Sequence, residues 1–132
     1  MSHFRLSAQL VLFGVVGVSA MLVHMGMVWL LVERFAQPPL RANVFGFLVA
    51  FGVSYLGHGR LTFKGHGADV GASLPRFFLV ASLGFAVNQS AYALLLARFG
   101  PQSYLPLLAL VLIGVALLTF VLSRTWAFSA PR

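Results

Sequence analysis

The sequence predicts an all-α integral membrane protein of four transmembrane helices, arranged as two tandem helical hairpins in a parallel repeat. Three observations predict it. Hydrophobic residues make up 60% of the 132 positions and charged residues only 8%, with a mean hydropathy of +0.94, whereas a soluble domain carries about 25% charge to solvate its surface. Four runs are each near the ~20 apolar residues that a bilayer crossing needs. The second half of the chain also ends on a pattern that echoes the end of the first. A soluble bundle of such helices would need a polar outer layer, and the chain has none.

The first run covers about residues 10–32 and stops at Glu33-Arg34. It is too long for a signal peptide and lacks an Ala-x-Ala type exit, so it is expected to be retained. The second covers about 40–57 and follows Pro38-Pro39, a favourable helix start; it is the shortest, with Arg41 and Asn43 in its first turn. The third, about 77–96, is entered through Pro75-Arg76 and left through Arg98-Phe99-Gly100-Pro101. The fourth, about 104–122, has Ser103 as N-cap and Pro106 in its first turn. Together they form a single membrane domain over residues 1–132.

The net charge is +7, and the basic residues sit at the ends of the apolar runs, beside lipid headgroups, rather than on one nucleic-acid-binding face. Arg5, Arg60, Lys64, Arg76, Arg124 and Arg132 fall on one side of the membrane, against Arg34, Arg41 and Arg98 on the other. The richer side is expected to be cytoplasmic, which puts both termini there. Cysteine is absent, so neither a disulfide framework nor a thiolate metal site is available. No cofactor or metal site is expected.

The two halves align without a gap over Ser54-Tyr-Leu-Gly-His-Gly-Arg-Leu-Thr-Phe63 and Thr119-Phe-Val-Leu-Ser-Arg-Thr-Trp-Ala-Phe128. Glu33-Arg34-Phe35 falls opposite Ala97-Arg98-Phe99, and Gly17 opposite Gly84. Two helices per copy give both copies the same orientation. Such repeats either build a site at their interface or simply pack well.

Several residues are candidates for chemistry. His24, near the middle of the first span, is an expensive group to place in a bilayer. It either contacts a substrate hydroxyl or proton, or hydrogen-bonds a neighbouring helix. Asn88 and Gln89 in the third span either hold helices together or bind sugar hydroxyls, and the same question attaches to the repeat-matched Ser54 and Thr119. Gly14, Gly17 and Gly46 suggest close helix contact. Arg60, Arg76 and Arg124, with Trp126 beside the last, lie at the cytoplasmic interface. There they serve either as anchors or, converging, as a site for a lipid phosphate, which the arginine fork suits. No carboxylate lies within a span, because Glu33 is at a helix end and Asp69 in a loop; this argues against a proton-coupled drug exporter. No nucleophile elbow or phosphate-cradling loop is present, so an enzyme is not expected.

With these motifs in order, the chain resembles the GtrA-like family of small four-helix membrane proteins. Phe120, Ser123, Arg124, Trp126 and Phe128 match that family's closing pattern, with Thr119 in place of its Asn. The first copy departs more: Ser54, Tyr55, His58, Gly59 and Leu61 differ, while Thr62 and Phe63 are retained. Arg76-Phe77 followed by Asn88 resembles the start of the second half, and Phe13-Gly14 the family's Val-Gly. The resemblance implies flipping of a polyprenyl-phosphate-linked monosaccharide, such as undecaprenyl-phosphate glucose, across the bacterial cytoplasmic membrane for cell-surface polysaccharide modification. It also implies a membrane glycosyltransferase as partner. A non-transporting scaffold that recruits this enzyme is the alternative. A four-helix monomer is small for a sugar headgroup, so a homodimer is expected.

Overall fold

The computed structural model describes residues 2–57 and 70–122. Four helices follow one another: α1 (Ser2–Phe35), α2 (Pro39–Gly57), α3 (Val70–Phe99) and α4 (Tyr104–Leu122), with a short 3-10 turn over Pro101–Ser103 before the last. The described residues contain no strand. Stretches Leu10–Phe35, Pro39–Gly57, Leu74–Phe99 and Pro101–Leu118 are long and apolar enough to cross a membrane. Leu22, Leu79, Leu83, Leu94 and Leu117 are all exposed. A surface of that kind is stable against acyl chains rather than water. The protein is a multi-pass membrane protein.

Helices α1 and α3 extend ahead of their apolar runs. Pro75 is therefore inside α3 rather than at its start, just past the first turn, where its missing N–H removes one i to i−4 backbone hydrogen bond.

The repeat is visible in the order of the helices, two in each half of the chain. It is visible again in the links. After each Arg-Phe pair comes a residue with positive φ, Ala36 at 54° and Gly100 at 91°. A glutamine side chain then turns back, Gln37 Nε2 donating to the Phe35 carbonyl at 3.2 Å and Gln102 Nε2 to the Phe99 carbonyl at 3.5 Å. Both bonds satisfy carbonyls that a helix C-terminus leaves without partners. Glycine accepts a positive φ without penalty and alanine does not. Ala36→Gly is therefore expected to stabilise the protein by about 1 kcal/mol. Gly100, with ψ at 155°, occupies a region nearly reserved for glycine, so Gly100→Ala is expected to cost about 1–3 kcal/mol. Unfolding of the two purified variants in graded SDS checks both signs.

The chain forms two compact units, Met1–Ala81 and Ser82–Arg132. The boundary falls within α3, and Phe78, before it, meets rings of α2. Phe78 meets Phe51 edge-on with ring centroids 5.1 Å apart, and lies 6.4 Å from Phe47. Phe47, Phe51 and Tyr55 form a ladder along α2, one ring per turn, at 6.3 and 6.1 Å.

Within the first unit, α1 and α2 approach closely. A Cβ on Gly46 would lie 2.7 Å from His24 Cδ2 and 3.0 Å from both the His24 carbonyl and Val28. One on Gly57 would lie 2.8 Å from Val16. Val16, His24 and Val28 are buried along one face of α1, and Ala42, Asn43 and Gly46 along one face of α2. Gly46 thus makes the close contact that its sequence position suggested. Gly14 and Gly17 do not: a Cβ on either would meet nothing within 4 Å. They lie on the exposed face of α1, which sequence alone does not separate from the packed one.

In the second unit the core is Tyr92, Tyr104, Leu107, Leu108 and Val111, with Asn88 buried beside them in sequence on α3. Tyr92 Oη donates to the Tyr104 carbonyl at 2.8 Å, which pins α3 to the first turn of α4.

The buried positions themselves repeat. The spacing that takes Arg34 to Arg98 also takes His24 to Asn88 and Val28 to Tyr92, all four of which are buried. One further residue of spacing takes Ala42, Asn43 and Gly46 to Leu107, Leu108 and Val111, again all buried. At these positions the two hairpins bury corresponding residues with different side chains.

Candidate functional site

The only charged side chains the described spans carry, Glu33, Arg34, Arg41, Arg76 and Arg98, are exposed near helix ends. Arg41, a charge in the first turn of α2, hydrogen-bonds Gln37 Oε1 at 3.2 Å, while Arg98 stacks over the Phe99 ring at 5.2 Å. Basic groups in the last turn of α1 and α3 also complement the negative helix end. Chemistry deeper in the bilayer therefore falls to uncharged groups.

The best-defined of these is in the α1–α2 hairpin. His24 Nε2 lies 2.6 Å from Asn43 Oδ1. His24 is 4% exposed and Asn43 fully buried. Because the amide oxygen accepts, the ring N–H at Nε2 donates. The pair is placed by the tight packing over Gly46, one turn beyond Asn43 toward the helix C-terminus, which brings the α1 backbone against α2. Of the two readings of His24, hydrogen bonding to a neighbouring helix is what the geometry displays. The partner, Asn43, stands in the sequence only as a polar interruption of the weakest span. Nothing local in the chain announces that it faces His24.

The second unit carries Asn88, 4% exposed, with Gln89 half-buried next to it. Both take part in interactions of their own. Ser90 is exposed and donates to the Ala86 carbonyl at 2.8 Å, which satisfies its hydroxyl within the helix. Ser54 is half-buried on α2, on the turn that carries Phe51 and Tyr55. Thr119 belongs to α4, in its last turn. Among the described residues no enclosed side-chain nitrogen or oxygen lacks a hydrogen-bond partner.

Of the four groups assigned to a lipid phosphate, Arg76 is exposed near the start of α3. Arg60, Arg124 and Trp126 lie outside the described residues. The aromatic ladder of α2 and the Tyr92 bond are not among the features the sequence predicts. The i, i+4 spacing of Phe47, Phe51 and Tyr55 is a signal for the ladder, whereas nothing in the chain marks Phe78 as its partner on α3.

Away from their charged ends, the described spans thus hold hydrogen-bonding side chains without charge. Such content suits a hydroxylated, uncharged ligand portion better than a cation. Residues 12–128 match the family model described as GtrA/DPMS, transmembrane domain. No curated protein and no solved structure matches the chain.

Proposed function

Because the chain belongs to the GtrA/DPMS transmembrane-domain family, and so to the membrane proteins of polyprenyl-phosphate sugar metabolism, we propose that it translocates a polyprenyl-phosphate-linked monosaccharide across the bacterial cytoplasmic membrane. Undecaprenyl-phosphate glucose is the type of substrate meant. The observation that carries this reading is the uncharged polar content of the spans: His24 with Asn43, and Asn88. A hydroxylated sugar needs hydrogen bonds, and a fixed intramembrane carboxylate would repel its phosphodiester. Arg60, Arg76 and Arg124, with Trp126, take the phosphate at the cytoplasmic interface. His24, Ser54, Asn88, Gln89 and Thr119 meet the sugar on its way.

In this reading residues 1–132 act as one membrane domain with both termini in the cytoplasm. The protein works without bond-making chemistry, as a homodimer, beside the glycosyltransferase that loads the lipid. A second reading, a scaffold that recruits that enzyme, is favoured by one observation. His24 Nε2 and Asn43 Oδ1 already bond each other, as packing groups do.

Native mass spectrometry of the protein released from nanodiscs separates the two. Translocation requires retention of undecaprenyl-phosphate glucose in preference to phosphatidylglycerol. Retention of neither lipid, with a copurifying glycosyltransferase, would leave the scaffold.

A further inference from the structure

Among the equivalent positions at which the two hairpins differ are the two that bond each other in the first. Where α1 has His24, α3 has Asn88; where α2 has Asn43, α4 has Leu108. All four are buried. The second hairpin thus holds a leucine at the position of Asn43, where it carries no amide to satisfy. A buried polar pair gains little over well-packed apolar groups, in a membrane as in water. Packing alone gives no reason for the first hairpin to hold one.

The geometry of the ring gives a reason. Nε2 faces Asn43 and its bonded neighbour Cδ2 faces Gly46, where even one added carbon would lie 2.7 Å away. One edge of the imidazole is therefore clamped against α2 by two residues a turn apart. Nδ1 lies across the ring from Cδ2, on the edge turned from Gly46. With the proton on Nε2, Nδ1 of the neutral ring is an acceptor.

We propose that Asn43 is a positioning residue: it fixes the His24 tautomer and ring plane so that Nδ1 accepts a hydroxyl of the sugar head. The proposal rests on the translocation reading for its setting, but the contact it names is a separate claim. It assigns recognition of the sugar, as opposed to the phosphate or the polyprenyl tail, to the α1–α2 hairpin. It also gives Asn43 a role that neither its exposure nor its place in the sequence suggests.

The test compares wild type, Asn43→Leu and the double variant His24→Asn/Asn43→Leu, which gives the first hairpin the polar pattern of the second. Each is reconstituted in vesicles with undecaprenyl-phosphate glucose or with undecaprenyl phosphate alone. Loss of one hydrogen bond predicts that both variants move the glycosylated lipid about tenfold more slowly. Movement of the bare phosphate should stay within about twofold of wild type, a split that a merely structural defect would not give. Ring 15N spectra of His24, assigned against the double variant, should show one tautomer in wild type and a mixture in Asn43→Leu. Equal rates for both lipids in all three proteins, or equal slowing of both, would overturn the proposal.

If the variants do not fold, titration of wild type with undecaprenyl-phosphate glucose decides: the Nδ1 resonance of His24 must shift with this lipid and not with the bare phosphate. If wild type moves neither lipid, the translocation reading fails, and the same titration still upholds or overturns the contact.

Discussion

Gly46→Val is expected to prevent the α1–α2 hairpin from closing. The first carbon added would already stand 2.7 Å from His24 Cδ2 and 3.0 Å from the His24 backbone carbonyl. The imidazole cannot swing away without losing its bond to Asn43, and a carbonyl within a helix cannot move at all unless the helix does. Valine then adds two methyl groups at the same point. Overpacking of this kind costs about 1–3 kcal/mol in soluble cores, and here it also uncouples a buried hydrogen-bonded pair, whose separated members cost about 1–3 kcal/mol more. The sum, about 2–6 kcal/mol, reaches the lower end of the whole stability of a small domain, about 5–15 kcal/mol. The expected outcome is loss of most monodisperse protein in detergent, read by size-exclusion chromatography. Gly14→Val and Gly17→Val, on open positions of α1, serve as controls that should purify like wild type.

Arg124→Ala carries the second large expectation, and it concerns function rather than folding. If the guanidinium receives the lipid phosphodiester, its removal takes away charge-assisted hydrogen bonds worth about 1.5–3 kcal/mol, so translocation should fall by at least about tenfold. Arg124→Lys keeps the charge but not the planar fork and should recover part of the rate. Because the residue follows the last apolar run, the folded yield should not change. A rate equal to wild type in the alanine variant would remove Arg124 from the phosphate site and shift attention to Arg76 and Arg60.

The fold was legible because a bilayer imposes a coarse rule. Any helix that crosses must be apolar for its full length, so four runs and their charged ends declare themselves. The repeat was legible for a similar reason, since Arg34-Phe35 and Arg98-Phe99 recur at matching places. What the chain did not disclose is rotational. Gly14, Gly17 and Gly46 look alike in sequence, yet only Gly46 of these three faces another helix closely. In a soluble helix the polar face would have marked the orientation. In a membrane helix both faces are apolar and the mark is missing.

Asn43 illustrates the same limit. Its amide reads as a defect in the second span until α1 is laid against α2 and His24 appears opposite it. Correspondence between the hairpins then adds what neither alone provides: Leu108 in the place of Asn43 identifies the polar pair as a feature of one copy rather than of the design. Tyr92, which stands where Val28 stands in the first copy, likewise places its hydroxyl on a backbone carbonyl of α4, a contact defined only by the turn at Gly100.

The central claim is that this chain moves a lipid-linked sugar across a bilayer, and a single reconstitution tests it. Purified wild-type protein is placed in vesicles carrying undecaprenyl-phosphate glucose in both leaflets, and a membrane-impermeant reagent that oxidises the sugar is added outside. The account predicts that nearly all the lipid becomes reactive in protein-containing vesicles, against about half in protein-free ones. A plateau at half in both would contradict it.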